Sequence, residues 1–371
     1  MKLGKGIFSF WGLLATVFIL FGAYSLYVRF TEGLGAVTNL SDQFPWGLWI
    51  GFDILCGVGL AAGGFTISAV VHIFHIDKFK PLSRPAILTA FLGYAFVALA
   101  LMFDIGKPWN IWHPLVMWNP HSVMFEVAWC VMLYLTVLFI EFSSFAIERF
   151  KLEKIARIMK KIVVPVFILG VILSTLHQSS LGSVYLIMPG KMHGLWYSSF
   201  LPVFFFISAI VVGFAMVIFE SYTSARAFNH SLNVPLLADA SKTAMAFLGI
   251  YTMWRFVDLL IDGKAGLMFQ PASETYLFWA EIILFSAIPM LLLMQEKWRM
   301  DRFKLYLASL SVVLGFMLNR MNVSITSITA SSGVTYFPSI YEIGITFMIV
   351  TVGVLVFRFM AINFPVFEDH H

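Results

Sequence analysis

Apolar stretches of about twenty residues recur along this chain of 371 residues, and they restrict its fold more than any other feature. A helix of that length crosses the hydrocarbon core of a bilayer. Only helices and closed barrels satisfy every backbone hydrogen bond there. The sequence therefore predicts an all-α integral membrane protein with about ten transmembrane helices. They are expected near residues 7–28, 46–75, 86–106, 121–147, 162–182, 196–222, 240–261, 274–295, 303–323 and 339–361.

Composition supports this prediction and narrows the choice of partners. Hydrophobic residues make up 60% of the chain and charged residues only 12%, against about a quarter charged in soluble domains. The loops between the apolar stretches are too short to fold as a separate domain. The net charge of +4 comes largely from Lys and Arg in these loops, so the expected surroundings are a lipid bilayer and nucleic acid is not an expected partner.

The distribution of basic residues predicts the orientation. Most Lys and Arg fall in loops that alternate to one side of the membrane, which includes Lys2, Lys5 and the run from Arg149 to Lys161. Cytoplasmic loops carry such an excess. We therefore expect both termini in the cytoplasm, the cytoplasmic (inner) membrane as the location, and a first span that is retained after the two lysines.

Ionisable residues inside the spans are the candidates for function, because each costs several kcal/mol unless it is paired or hydrated. With the predicted orientation, most of them fall in the outer half of the membrane. These are Asp53, Asp104, Glu126, Arg255, Asp258, Glu281, Arg320 and Glu342. The inner half holds His72, Glu141 and Glu220. The two glutamates could snorkel to the interface, or all three residues could belong to a proton path. Arg255 and Asp258, three residues apart, could neutralise each other.

His177 opens the polar block His177-Gln178-Ser179-Ser180 at the end of an apolar run. It could be a satisfied core histidine, a haem ligand, or a proton partner for a quinone carbonyl. A haem would need a second axial histidine at equal depth, for which only His121 is suitable. Quinone reduction takes up two protons, which favours a group that titrates near neutral pH. The two cysteines, Cys56 and Cys130, are too few for an iron–sulfur cluster.

Two further patterns concern helix packing. Gly57, Gly59, Gly63 and Gly64 lie in one apolar span, and such small residues favour close helix contacts. The order of an Asp-Gly-Lys loop followed by a buried Glu occurs twice, at Asp104 to Glu126 and at Asp262 to Glu281. This repeat suggests two similar four-helix bundles, at about residues 46–182 and 196–323.

Several of these segments together resemble the NrfD/PsrC family of quinone-interacting membrane subunits, in its ten-helix branch of HybB, DsrP and Hmc-type subunits. The resemblance rests on Phe44 to Asp53, Asp104 to Asn110, Ser122-Val-Met-Phe-Glu126, His177-Gln-Ser-Ser-Leu-Gly182 and Tyr336-Phe-Pro338. It implies two four-helix bundles with two peripheral helices. It also implies a subunit that binds menaquinone near the outer face and carries no haem, iron–sulfur cluster or metal site of its own.

The function predicted from the residues and the resemblance is electron exchange between the menaquinone pool and an extracytoplasmic ferredoxin-like iron–sulfur subunit. Further partners would be a hydrogenase, a multihaem cytochrome or a heterodisulfide-reductase-like protein, and proton translocation stays open. Protons would be handled by His177, Glu126, Asp104 and Asp53. The quinone site would also include Gln178, Ser180, Trp109, His121, Tyr336 and Arg320. A b-type cytochrome anchor and an ion or solute transporter are the alternatives.

Overall fold

A computed structural model of the chain describes residues 9–367, apart from the side chain of Lys160. Within these residues ten helices are long and apolar enough to cross a membrane, and no strand occurs. We name them α1 (Phe10–Glu32), α2 (Trp49–Ile73), α3 (Asp77–Asp104), α4 (Val123–Arg149), α5 (Lys161–Leu186), α6 (Leu201–Phe228), α7 (Val234–Ile261), α8 (Ser273–Met294), α9 (Arg302–Ser332) and α10 (Ile340–Asn363). The predicted all-α, ten-helix membrane protein is confirmed.

Polar side chains fix where several of the helices begin. Ser122 accepts the backbone N–H of Phe125 ahead of α4, and Asp301 accepts the first N–H groups of α9. Ser339 and Glu342 form a reciprocal capping box at the start of α10. These caps satisfy N–H groups that have no partner inside the helix.

Burial separates central helices from peripheral ones. The apolar windows of α2 and α6 are 78% and 72% buried, whereas those of α1 and α10 are only 17% and 11% buried. A helix that is apolar on all sides suits either a protein core or lipid, so packing and not composition decides between them. α1 and α10 pack against each other at the edge of the molecule, with Phe18 stacked on Phe347 at 4.8 Å.

The remaining helices pack in neighbouring sets, with α2 to α5 in contact in the first half of the chain and α6 to α9 in the second. The division into two bundles stays a prediction, as do the cytoplasmic location of both termini and the membrane in which the protein resides. Lys2 and Lys5, which support the predicted orientation, lie outside the described residues.

Close helix approach at the glycines of α2 is confirmed. A Cβ atom at Gly63 would lie 3.1 Å from Val217 of α6, and one at Gly64 would lie 2.5 Å from Ala90 of α3. On the opposing helix, a Cβ at Gly213 would lie 2.9 Å from the backbone oxygen of Ala62. The glycines let α2 contact its neighbours through the backbone.

Four stretches of the spans adopt π-helical geometry, which the sequence did not predict. They are Trp49–Cys56 and Ala69–Ile73 in α2, Ile283–Ala287 in α8 and Asn322–Thr326 in α9. Such stretches are rare and are often found at functional sites. The first contains Asp53, and the fourth begins two residues after Arg320.

Candidate functional site

His177 lies in the C-terminal half of α5 and is completely buried. Its Nδ1 atom is 2.9 Å from the hydroxyl of Tyr94 in α3. Its other ring nitrogen, Nε2, is buried and has no hydrogen-bond partner among the described residues. Buried polar atoms are nearly always hydrogen-bonded, so this nitrogen marks a position where a polar ligand would restore the missing contact.

Gln178 holds this part of α5 against α2. The side chain is 1% exposed, and its Nε2 donates to the backbone oxygen of Val58 at 3.2 Å. Val58 follows directly on the first π-helical stretch and its glycine cap. The bond therefore connects the histidine segment to the irregular part of α2.

Ser180 and Glu126 connect the interior to the outer surface of the helices. The buried hydroxyl of Ser180 donates to Oε1 of Glu126 at 2.5 Å. Glu126 belongs to the first turn of α4 and is exposed. This contact does not test a catalytic or a binding role. It places the Glu126 carboxylate at the α4–α5 contact, beside Ser180, which is three residues from His177 in the sequence.

Asp53 and Asp104 interact with residues of α10. Asp53 accepts a hydrogen bond of 2.8 Å from Thr346 of α10. Asp104 lies close enough to Asp53 and to Glu342 for their charges to interact. Within residues 9–367 no hydrogen bond joins either aspartate to His177. We call Asp53, Asp104 and Glu342 the outer carboxylate cluster.

Tyr336 belongs to the loop before α10 and completes this cluster. Its hydroxyl donates to Glu342 at 2.5 Å and accepts the backbone N–H of Leu48 at 2.8 Å. Burial raises the pKa of Tyr336, and the hydrogen bond and the negative charge of Glu342 raise this pKa further. The phenol is therefore held in its neutral form. Trp49 is buried, and its indole N–H donates to the backbone oxygen of Glu342 at 3.2 Å.

A second buried polar cluster lies between α8 and α9, and we call it the α8–α9 polar cluster. Glu281 is 1% exposed and accepts three N–H donors at 2.8–2.9 Å, from Trp196, Asn319 and Asn322. Arg320 donates to Asn319 and to Ser208. The guanidinium of Arg320 also lies 3.7 Å from the ring centre of Phe205. The hydrogen bonds of both side chains therefore go to neutral groups.

Arg255 of α7 borders a cavity beside this cluster. Its terminal nitrogen donates to the backbone oxygen of Leu195, while its buried Nε has no partner in the described part of the chain. Arg255, Arg320 and Tyr251 are among the residues that line a cavity of about 10 Å³, which is close to the space that one water molecule needs. The expected Arg255–Asp258 ion pair is not formed among residues 9–367.

The three inner-half residues lie apart from these clusters. Glu141 and Glu220 are only 5% and 9% exposed, so neither snorkels to the interface. Glu220 accepts the hydroxyl of Thr89 at 2.6 Å, and its other oxygen is buried and has no hydrogen-bond partner in the part of the chain that the structure describes. His72 stacks on Phe167 at 3.9 Å. A proton path through these residues stays a prediction.

Trp109 and His121 are on the surface and not beside His177. Trp109 is 68% exposed, and His121 is also exposed. Trp112 and Trp118, in the same outer loop, are exposed as well. This group of aromatic side chains resembles an interface anchor more than the lining of a buried pocket.

Among the contributors to the clusters that the sequence did not predict are a tyrosine, a threonine and a tryptophan. Tyr94, Thr346 and Trp196 are the partners of His177, Asp53 and Glu281. A tyrosine in the middle of an otherwise apolar span was a usable signal for Tyr94, because its hydroxyl needs a partner in lipid. Thr346 and Trp196 gave no such signal, since their roles depend on which helices are neighbours. No group of three His, Cys, Asp or Glu side chains suited to a metal ion occurs among the described residues.

Comparison with known proteins identifies the class. Residues 36–331 match the profile of the family described as polysulphide reductase, NrfD. The chain belongs to this family and is a multi-pass integral membrane protein.

Individual relatives extend the similarity over nearly the whole chain. A protein of Nitratidesulfovibrio vulgaris is 41% identical over 99% of this chain and 96% of its own length. The probable Ni/Fe-hydrogenase 2 b-type cytochrome subunit of Escherichia coli is 32% identical, with 92% of this chain and 90% of the relative covered. The menaquinone reductase integral membrane subunit of N. vulgaris is 28% identical, with coverages of 98% and 92%.

Proposed function

We propose that this chain is the quinone-reactive membrane subunit of an oxidoreductase complex. It exchanges electrons between the menaquinone pool and an extracytoplasmic iron–sulfur subunit. The names of two relatives support the substrate class, a menaquinone reductase subunit and an Hdr-like menaquinol oxidoreductase subunit of Archaeoglobus fulgidus. The observation that carries the proposal is the unpartnered Nε2 of His177.

The Tyr94–His177 pair suits both oxidation states of a quinone. When the Tyr94 hydroxyl donates to Nδ1, Nε2 carries the ring proton and can donate to a quinone carbonyl. When Nδ1 carries the proton and donates to Tyr94, Nε2 can accept from a quinol hydroxyl. The tyrosine hydroxyl can rotate to match either tautomer, so one residue pair serves both the reactant and the product.

The chemistry requires two electrons and two protons for each quinone. Both carbonyl oxygens become hydroxyls on reduction, and the reverse reaction releases the same two electrons and two protons. The electrons come from, or pass to, the iron–sulfur subunit. We assign one proton to His177 and its exchange with the surroundings to Ser180 and Glu126, which are joined at 2.5 Å. Asp53 and Asp104, as members of the outer carboxylate cluster, are proposed to exchange protons as well.

The exposed aromatic loop supplies a docking surface for the partner. Trp109, Trp112 and Trp118 are 68%, 49% and 66% exposed, and tryptophans are over-represented among the residues that anchor protein interfaces. We therefore assign Trp109 and His121 to partner docking, while Tyr336 belongs to the carboxylate cluster and Arg320 to the α8–α9 polar cluster.

A binding experiment on the purified full-length chain tests the site directly. A fluorescent hydroxyquinoline N-oxide analogue of the quinone should be quenched on binding, and His177→Ala should weaken its affinity about tenfold, the effect of one lost hydrogen bond. His193→Ala removes a half-buried histidine from the outer loop and should leave the affinity unchanged. Equal affinity in His177→Ala and the parent protein would overturn the proposed site. In the assembled complex, His177→Ala should lower turnover by about 10²-fold or more.

A b-type cytochrome remains the second candidate because of the name of the E. coli relative. It would require His177 Nε2 to bind iron opposite a second histidine at the same depth. A reduced-minus-oxidised absorption spectrum of the purified chain separates the candidates, since a haem gives sharp bands and a quinone site gives none. Solute uptake by proteoliposomes without a redox partner would instead support a transporter.

A further inference from the structure

The helix that contains α5 extends beyond the membrane span at its N-terminal end, and this extension carries an open basic groove. It runs from Glu153 to Leu186, whereas the apolar span begins at Lys161. Lys154, Arg157 and Lys161 lie three and four residues apart, so they share one face of this extension. Together with Ile158 they line a groove of about 270 Å³.

The three cations of this groove have no acidic partner. Within residues 9–367 none of them forms an ion pair, although other basic residues in loops of the same predicted side do. Arg84 pairs with Glu148 at 2.9 Å, and Lys78 pairs with Asp239 at 2.8 Å. Orientation by the positive-inside rule requires only that charges stay on one side. It does not explain why three unpaired cations share one groove.

An apolar stripe continues from the groove along the lipid-facing side of α5. Ile158, Ile162 and Leu169 are 61%, 40% and 48% exposed. Their spacing of four and seven residues keeps them on one helix face. A ligand that fits the whole surface therefore has a negatively charged head and a hydrocarbon tail.

We propose that this surface binds an anionic phospholipid. Its phosphates would lie among Lys154, Arg157 and Lys161, and an acyl chain would lie along the apolar stripe. Basic pockets at the cytoplasmic ends of membrane helices bind such head groups, and each cation near the surface adds to the attraction. Three cations exceed the single charge of phosphatidylglycerol. The groove therefore matches diphosphatidylglycerol, whose two phosphates bring two charges.

Native mass spectrometry of the purified full-length chain, titrated with one lipid at a time, tests the proposal. Diphosphatidylglycerol should bind at least tenfold more tightly than phosphatidylcholine, with phosphatidylglycerol between them. Changing Lys154, Arg157 and Lys161 together to Gln should remove this preference. The matched control changes Lys297, Arg302 and Lys304 to Gln, which removes the same charge from a loop on the same predicted side and should keep the preference.

Further arms separate specific binding from other effects. Arg157→Gln alone should lose part of the preference, and it provides the result if the triple variant does not fold. Inorganic phosphate, added while thermal unfolding is followed, should not stabilise the protein as the lipid does. Equal lipid preference in the parent and Arg157→Gln proteins, equal loss in the control variant, or stabilisation by phosphate alone would each overturn the proposal.

Discussion

Tyr336 and Glu342 are joined by a hydrogen bond of 2.5 Å that ties the loop before α10 to the first turn of that helix. The same tyrosine oxygen accepts the N–H of Leu48, so one hydroxyl links the start of α10 to the start of α2. Loss of the proton from this phenol would therefore affect the contact between the peripheral helix α10 and the central helix α2.

This pair predicts a specific loss of stability at alkaline pH. Because burial and Glu342 raise the pKa of Tyr336, its stabilising contribution is complete below the unfolded value of about 10 and declines as the pH rises above it. Tyr336→Phe should be less stable than the parent at pH 8, and the two unfolding temperatures should converge above pH 10. Thermal unfolding in detergent across this range is the measurement, and two parallel curves would contradict the prediction.

Removing the hydroxyl of Tyr94 should weaken quinone binding without changing the packing. Tyr94→Phe keeps the ring but leaves Nδ1 of His177 without its partner, so the tautomer is no longer fixed by a hydrogen bond. We expect about fivefold weaker binding of the hydroxyquinoline analogue, since such a bond contributes about 1 kcal/mol. Tyr306→Phe, a change far along the chain in α9, should leave binding unaffected. A normal affinity in Tyr94→Phe would count against the proposed role of the pair.

Neighbouring serines of α5 provide a matched pair for the proton route. Ser180 donates to Glu126, whereas Ser179 donates only to backbone oxygens of its own helix. In the assembled complex, Ser180→Ala should slow quinone turnover about tenfold or more and shift its pH profile. Ser179→Ala should do neither. Identical kinetics for the two variants would show that the Ser180–Glu126 contact is only structural.

Two helical glycines should respond to alanine in opposite directions. A Cβ at Gly213 would lie 2.9 Å from the oxygen of Ala62 and 2.9 Å from the hydroxyl of Thr66, so Gly213→Ala should destabilise the protein by about 1–3 kcal/mol. A Cβ at Gly249 would meet only Met290, at 3.5 Å. Gly249→Ala should therefore stabilise by up to about 1 kcal/mol. Denaturant unfolding of both variants checks the sign of each effect.

Glu281 should be sensitive to the loss of its charge because three N–H donors converge on it. Glu281→Gln replaces an accepting oxygen with an NH₂ group that faces a donor, and about 1–3 kcal/mol of stability should be lost. Glu296→Gln, at an exposed position, is the control. An unchanged unfolding temperature in Glu281→Gln would contradict the prediction.

Apolar length predicted the helices well because each span must satisfy its own backbone in lipid. The ends were less accurate: α3 was expected from residue 86 but begins at Asp77, since the amphipathic first turns packed against the protein interior. The π-helical stretches were not predicted, because no residue pattern distinguishes them from an ordinary apolar helix.

The sequence predicted which residues are candidates for the site, but not how they group in space. His177, Asp53 and Glu126 were chosen because charges and polar groups are costly in a membrane, and depth alone placed them together. Which residues a side chain contacts depends on the direction in which it points from its helix axis. Its partners, such as Thr346 and Tyr94, lie far away in the sequence. The single predicted site therefore separates into a histidine site and the outer carboxylate cluster.

The contact between α1 and α10 has a consequence for biogenesis. Phe18 packs on Phe347 and a Cβ at Gly22 would meet Met348, so α1 packs on a helix that is synthesised after α2 to α9. Arg29 donates to the carbonyl oxygens of Phe103 and Ile105, and Phe30 packs edge-on against Phe103. These contacts with the end of α3 can therefore hold α1 in place before α10 is synthesised.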